Sequence, residues 1–367
     1  MVADIEIALK DCEDENTSDI LRHDVSNILH SAICRQTSPE EKYFISLQNK
    51  TKEFFNEHPE ILVLKSDKGA KTAFMLADQH QVLTDEMLGD TNTYKIITDP
   101  TSTIQRMNNT VVKELFETQS IDFNTKRKLT TYTAIAPRAY FLPKCHKPTL
   151  SLRPIVADIN GPTRKSAEFL ATILGKLPKS PFFVRNSYDF KDCITTYTIN
   201  SNEKLISLDV VSLFTNAPIC DIREIISRRW PEIQQLTKLP KHQFLKLFDL
   251  CTNNSYFMYK GQVYKQIFGT PMGSPISCII TEILMDDILS KAISAIKREL
   301  DYDIRLLKKY VDDICAIVPS NLIYEVLAIF NSFNEHIQFT IEMEVENRLP
   351  FLDILIKRDL NGVLSTE

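Results

Sequence analysis

Two adjacent carboxylates, Asp312 and Asp313, stand in Tyr310-Val311-Asp312-Asp313 between two apolar runs, Ile304 to Val311 and Ile314 to Val318. Runs of that length and composition predict a hairpin with the acids at its tip. A third acid, Asp209, closes a short apolar strand in Lys204-Leu-Ile-Ser-Leu-Asp209-Val-Val-Ser-Leu-Phe214. Carboxylates supply the hard oxygen donors that divalent cations take, so these three predict a site for two-metal nucleotidyl transfer. An aromatic-x-Asp-Asp string also arises by chance; the hairpin context and Asp209 lift this one. Met285-Asp286-Asp287-Ile288 pairs two acids as well, but lies within Ile276 to Leu300, a stretch without Gly or Pro that predicts a helix. There a solvated helical face is expected.

A second group of residues suits phosphate. In Arg138-Ala-Tyr-Phe-Leu-Pro-Lys144-Cys-His-Lys-Pro-Thr-Leu-Ser-Leu-Arg153-Pro-Ile-Val156, two short strands carry Lys144 and Arg153 across a Pro-rich connection. Both cations can project from one hairpin, Arg as a planar fork of donors and Lys as a point charge, as a triphosphate requires. The plainer reading is a pair of surface cations, and His146 is expected on a surface turn. Glycine is scarce, eight in 367 residues against a usual ~7%, which makes its placement informative. Gly261 fits the turn of a hairpin from Tyr256 to Tyr264. Gly269 and Gly273 fall in Gln266-Ile-Phe-Gly269-Thr-Pro-Met-Gly273-Ser274-Pro275-Ile-Ser277, just before the long helix. That string predicts close backbone approach, a capping hydroxyl from Ser274 and a proline near the first helical position.

The elements that must position these residues follow from pattern. Ile20, Leu21, Val25, Ile28, Leu29 and Ile33 recur at helical spacing and predict a packing stripe. Ile61 to Lys65 and Thr72 to Leu76 flank Ser66-Asp67-Lys68-Gly69-Ala70-Lys71, a β-hairpin with turn chemistry. Helices are expected over about 79–88 and 101–118, the second entered through Asp99-Pro100-Thr101. With 43% hydrophobic and 25% charged residues the chain is globular, and long enough for two to three subdomains.

Eight cysteines without a C-x-x-C pair argue against zinc sites and a disulfide scaffold and fit a reducing compartment. No run approaches the ~20 apolar residues of a membrane span. The expectation is an intracellular protein, nuclear or cytoplasmic, not secreted and with no membrane partner. The formal charge of −5 runs against phosphate binding, although acidity concentrates between Asp11 and Asp24. Lys126-Arg127-Lys128, Arg164-Lys165, Arg228-Arg229, Lys297-Arg298 and Lys308-Lys309 partly offset it, each expected on a solvated face.

Ser-Leu-Asp209-Val-Val-Ser-Leu-Phe214, Pro-Met-Gly273-Ser-Pro-Ile-Ser, Tyr310-Val-Asp-Asp and Leu152-Arg153-Pro-Ile resemble the successive motifs of reverse transcriptases. Lys65-Ser-Asp67-Lys68-Gly69, Leu142-Pro-Lys144-Cys-His-Lys-Pro and Leu349-Pro-Phe-Leu-Asp353-Ile are similar to those of Penelope-like retroelement reverse transcriptases, relatives of telomerase. The resemblance covers roughly residues 61 to 367. It implies an α+β right-hand polymerase with fingers and palm, its antiparallel palm sheet flanked by helices and its thumb missing or truncated. Residues 1–60 would form an N-terminal helical region, 61–203 the fingers with the Lys144/Arg153 hairpin, and 204–367 the palm. Residues 251–275 would sit at the fingers–palm junction, and the palm would end at a primer-grip-like segment.

Carried over residue by residue, the resemblance makes Asp209, Asp312 and Asp313 the catalytic and metal-binding acids, holding two Mg²⁺ ions for which Mn²⁺ can substitute. Lys144 and Arg153 match the residues that grip the incoming triphosphate, and Gln266, Gly273 and Ser274 the segment bordering nucleotide and template. Phe214 matches the aromatic gate whose ring collides with a 2′-hydroxyl, so dNTPs are implied. RNA polymerases that share this palm place a hydrogen-bonding acid near that position. The implied partners are an RNA template, a DNA primer and dNTPs. The C-terminal GIY-YIG nuclease of many relatives is absent, so an endonuclease partner or a missing nuclease domain is the matching expectation. The stretch from Pro319 to Pro350 contains no lysine, only His336 and Arg348 as basic residues, and leaves the general acid for pyrophosphate unassigned. The leading reading is an RNA-directed DNA polymerase of retroelement origin. Its rivals are a catalytically weak nucleic-acid-binding remnant of such an element and an unrelated Mg²⁺-dependent phosphohydrolase, which would not require Arg153, Phe214 and the Gly273 segment together.

Overall fold

The structure, a computed structural model, describes Leu9 and residues 14–34, 37–145 and 149–367. His146 lies outside the described residues, as do Asp11 and Glu13 of the acidic start. Two compact units are present. One contains the chain up to Val63 together with Phe74–Asp78, and the other comprises Leu64–Ala73 and Gln79–Glu367.

In the first unit the helix Glu15–Cys34 is followed by Pro39–Glu57. The second helix opens on a capping box, in which the Ser38 hydroxyl accepts from the Glu41 amide and the Glu41 carboxylate accepts from the Ser38 amide. The helical pattern in this region forms helices, but the described side chains of its apolar stripe do not bury. Ile20 is 62% exposed and Ile28 67%, and the helix Pro39–Glu57 buries no residue. Phe55 stacks on Phe74 at 6.0 Å.

Strands β1 (Ile61–Lys65) and β2 (Thr72–Leu76) form the expected hairpin, and the unit boundary passes through it. After the helix Ala77–Leu88 come β3 (Tyr94–Ile97), the helix Thr101–Glu117, β4 (Arg138–Pro143) and β5 (Leu152–Ala157). The helix Arg164–Leu174 and β6 (Glu203–Val210) follow, then β7 (Tyr256–Tyr259), β8 (Gln262–Gln266) and the long helix Ser277–Leu300. The chain continues through β9 (Leu307–Tyr310), β10 (Asp313–Pro319), β11 (Phe339–Met343), β12 (Arg348–Phe351), β13 (Ile354–Arg358) and β14 (Leu364–Thr366). Three sheets result in the second unit: β3-β8-β7-β4-β5, β11-β6-β10-β9 and β12-β13-β14. Almost all pairings are antiparallel; β4 and β7 run parallel.

The β11-β6-β10-β9 sheet is covered on both faces, because its two central strands, β6 and β10, present apolar side chains to each side. Ile206, Leu208, Val210, Ile314, Ala316 and Val318 join the larger core. That core also takes Ile280, Leu284, Ile288 and Ala292 from the long helix, spaced for one helical face. On the other face Leu205, Cys315 and Ile317 pack with Phe190, Ile194, Leu349 and Ile356. Each Val, Leu, Ile or Phe among them, fully buried, contributes about 1.5–3 kcal/mol. Among the described residues no helix is long and apolar enough to cross a membrane, and Cys145, Cys193, Cys220, Cys251, Cys278 and Cys315 are free thiols.

The Asp286-Asp287 pair is not a solvated face. Asp286 accepts an ion pair from the fully buried Lys309 at 2.7 Å, and Asp287 pairs with Arg228 and Lys291. Lys309 is likewise withdrawn from the Lys308-Lys309 surface cluster, since in β9 it lies opposite the buried Ile314 and shares its inward face.

Asp158, just past β5, offers a pH test of the packing. Burial pushes its carboxyl up to about 6, with Arg164 pulling down and Glu168 pushing up. The unfolded value is about 3.9, so the folded state favours the protonated form. Stability is therefore expected to fall as pH rises from about 4 to about 6, with the full cost present above. Asp158→Asn should remove that slope and gain roughly 1–3 kcal/mol at pH 8. Thermal unfolding of both proteins from pH 4 to 8 checks this, and parallel curves would contradict it.

Candidate active site

The acids gather at one end of the β11-β6-β10-β9 sheet. Strands β6 and β10 pair so that Asp209 stands directly opposite Asp313, with Asp313 also opposite Tyr310 of β9 and Thr340 of β11 opposite Asp209. Antiparallel partners lie about 4.5–5.5 Å apart at Cα and share a face. That face is the one whose earlier positions, Leu205, Cys315 and Ile317, are sealed by the smaller core. Where the cover stops, the strands turn from apolar to acidic. Asp312 sits in the two-residue turn between β9 and β10, next to Val311 at φ 56°. A β-branched residue there is strained, and such strain persists only where surrounding structure holds it.

Burial pushes the Asp312 carboxyl up, and the charge of Asp209 pushes it further; its own backbone amide, then Lys68 and Arg153, pull it down. Two acids and two cations therefore meet within mutual electrostatic reach. Among the described residues no three His, Cys, Asp or Glu side chains close into a metal cage of their own. Asp209 and Asp313 nevertheless place like charges directly opposite each other, an arrangement that is unfavourable without a cation. One or two carboxylates completed by substrate oxygens is the usual Mg²⁺ donor set, and these residues fit it.

The cations come from two hairpins. Lys68 lies in the β1–β2 turn, where the Ser66 hydroxyl donates to the Lys68 carbonyl and accepts from the Lys71 amide. Gly69 and Ala70 take positive φ in that turn. The turn is tied to the end of β4 by the Asp67 amide donating to the Pro143 carbonyl at 3.0 Å. Arg153, on β5, has its Nε 3.0 Å from the carboxylate of Asp67, which is 2% exposed. Neither Arg153 Nε nor Asp67 Oδ2 completes a hydrogen bond among the described residues, so charge holds this pair. The Lys144 amide extends the β4–β5 ladder by donating to Ser151. Turn chemistry had sufficed to explain Asp67 and Lys68 from sequence. The available signal was an acid and a lysine side by side at the tip of a hairpin, more charge than a turn needs.

The glycine-bearing loop joins these parts through main-chain contacts. A Cβ on Gly269 would lie 2.3 Å from the Thr215 carbonyl oxygen, and one on Gly273, at φ 126°, only 2.1 Å from that of Val156 in β5. Thr270 donates to the Phe214 carbonyl and Val156 to that of Met272, both at 2.7 Å. Phe214 itself, five residues beyond Asp209, is half-buried in the single turn Leu213–Asn216. The Gln266 side chain is buried and donates to the Phe268 carbonyl at 2.9 Å, which shapes the loop. Ser274 is half-buried and does not cap the long helix, whose N-cap is Ile276 without a side-chain bond. The helix starts later than expected because the Ser277 hydroxyl, bonded to the Pro271 carbonyl and Thr270 Oγ1, secures the loop first.

Comparison with solved structures places this fold beside telomerase. The chain matches telomerase from Candida albicans, in complex with a TWJ fragment of telomeric RNA, with a TM-score of 0.57 and 12% identity. The match covers 91% of this chain and 59% of that one. It matches apo telomerase from Candida tropicalis with a TM-score of 0.55 and 12% identity, covering 84% of this chain and 55% of that one. The protein thus spans somewhat over half the length of these chains. No family profile matches the sequence, and no curated protein matches it. At such identity the likeness establishes fold alone: a mixed α/β, antiparallel-rich architecture similar to that of the telomerase chains.

Proposed function

We propose that the protein is an RNA-directed DNA polymerase of retroelement origin, similar to Penelope-like reverse transcriptases, which extends a primer 3′ end with dNTPs. The observation that carries this reading is the register of β6 and β10, which sets Asp209 opposite Asp313 beside Asp312, within reach of Lys68 and Arg153. The fold shared with telomerase supports it. One such structure holds an RNA fragment, which supports RNA as a partner.

In this reading Asp209 and Asp312 hold two Mg²⁺ ions, with Asp313 beside them. When bound, the ions stabilise the attacking 3′ oxygen and the departing pyrophosphate. Arg153, oriented by Asp67, and Lys68 and Lys144 neutralise the triphosphate, which in a low-dielectric site counts for more than in water. Gly273 and Ser274 border the nucleotide, with Gln266 bracing the loop through the Phe268 carbonyl. The Phe214 ring lies against the sugar and excludes a 2′-hydroxyl.

Primer extension on poly(rA)/oligo(dT) with Mg²⁺ tests the proposal. Extension with dTTP, little with UTP, and none by Asp312→Asn is the expected pattern. Primer–template binding without any extension would leave only a nucleic-acid-binding remnant, and equal extension by both proteins would reject the assigned acids. Arg153→Ala should raise the KM for dTTP about 30-fold, equivalent to ~2 kcal/mol for a charge-assisted contact. It should also lower Tm, because Asp67 is left buried without its counter-charge. Adding Asp67→Asn should restore Tm but not KM; recovery of both would make Arg153 a structural residue.

A further inference from the structure

The buried ion pair under the acidic turn has no part in the chemistry above, yet it joins the turn's own strand to the longest helix. Strand β9 is four residues long, lies at the sheet edge and pairs on one side with β10. On its other side, among the described residues, it bridges to the segment around Phe183. The Lys309 amide donates to the Phe182 carbonyl, and the Val184 amide donates to the Lys309 carbonyl at 3.0 Å. So short a strand has few main-chain bonds to hold its place, and a side-chain tie adds to them. The Lys309 side chain, fully buried, reaches Asp286 on the helix at 2.7 Å and the Glu282 carbonyl at 3.4 Å. The Ser180 hydroxyl donates to the same Asp286 oxygen at 2.8 Å. Helix, edge strand and the 180–184 segment therefore meet on the Asp286 carboxylate, through a lysine three residues along the chain from Asp312.

We propose that Lys309 is a positioning residue. Its pair with Asp286 fixes β9 along the helix and so sets where Asp312 and Asp313 stand relative to Asp209; this rests on the polymerase reading of those acids. An apolar side chain would fill the same space, but apolar contact is non-directional, whereas a short ion pair specifies distance and direction. Replacing a buried pair by neutral groups of similar volume is often tolerated by the fold. Catalysis is less forgiving, since a displacement of about 1 Å can cost ~10²-fold in rate.

The test uses Lys309→Met with Asp286→Asn in the full chain. Met follows the path of the lysine stem, and Asn keeps an acceptor for Ser180. Three quantities are read: Tm, steady-state extension on poly(rA)/oligo(dT), and Mn²⁺ affinity by electron paramagnetic resonance. The expected result is a Tm near that of the wild type, kcat lowered at least tenfold, KM for dTTP within twofold, and Mn²⁺ binding weakened at least threefold. Unchanged kcat and unchanged Mn²⁺ affinity would overturn the inference and leave the pair a packing device. Should the double variant not fold, Lys309→Leu with Asp286→Asn, likewise without an unpaired buried charge, is read the same way. A wild type that binds Mn²⁺ but never extends would sink the polymerase reading, and the Mn²⁺ comparison would still decide the role of Lys309. A wild type that binds no Mn²⁺ overturns both.

Discussion

Asp312→Asn is expected to abolish primer extension, by about 10³-fold or more, while leaving the protein at least as stable as before. The loss follows from removing a charge aimed at the reacting centre; even one electrostatic donor in such a site is worth about 10²–10³ in kcat, and a shared metal ligand is worth no less. The stability half comes from burial. Burial and Asp209 hold the Asp312 carboxyl above its ordinary range, so the folded state resists ionising it. The associated cost appears as pH rises past the unfolded value of about 3.9 and is complete above the raised folded value. At neutral pH in EDTA, asparagine avoids that cost. Calorimetry showing the variant several degrees less stable would mean that Asp312 braces the fold, and its loss of activity would then say little about chemistry.

Gly273→Ala is expected to be among the most damaging small substitutions in the molecule. The added methyl would sit 2.1 Å from the Val156 carbonyl oxygen, at a φ of 126° that side chains rarely adopt. Overpacking of this kind costs about 1–3 kcal/mol and the backbone strain another 1–3, against the 5–15 kcal/mol that holds an ordinary domain together. The main-chain bond from Val156 to Met272 should break, releasing the strand that carries Arg153. Gly261→Ala is the control, since Gly261 also has a positive φ, 82°, but open space where its Cβ would point. Urea denaturation should show a loss of only about 1 kcal/mol there. Equal losses at the two glycines would show that strain alone, without the contact to β5, accounts for both.

The parts of the fold that were readable from sequence are those whose signal is local. The runs around Asp312 and before Asp209 are short, apolar and bounded by turn residues, and they form β9, β10 and β6. The stretch from Ile276 lacks breakers and forms the helix Ser277–Leu300. What escaped depends on partners distant in the chain. Lysine in an alternating strand reads as solvent-facing, and only the long helix passing beneath β9 makes Lys309 a buried cation. Asp286 escaped with it, because an acid on a helix shows no sign of a buried counter-charge 23 residues later. The stripe from Ile20 to Ile33 has the spacing of a packed helix, yet periodicity reports an apolar face without saying that the same chain covers it. Ser274 has the right type for a cap; the competing bonds of Ser277 decided where the helix begins. At the site, the acids and Arg153 stood out by residue type, whereas Lys68 needed the hairpin that brings it to Asp312.

The two seams made by Gly269 and Gly273 are built from carbonyl and amide groups that every amino acid carries. Side chains nearby can therefore be exchanged freely over evolutionary time without disturbing how the strand of Arg153 meets the segment of Phe214, provided two positions stay bare. Such a joint lets architecture outlast recognisable sequence, as a shared fold at 12% identity requires.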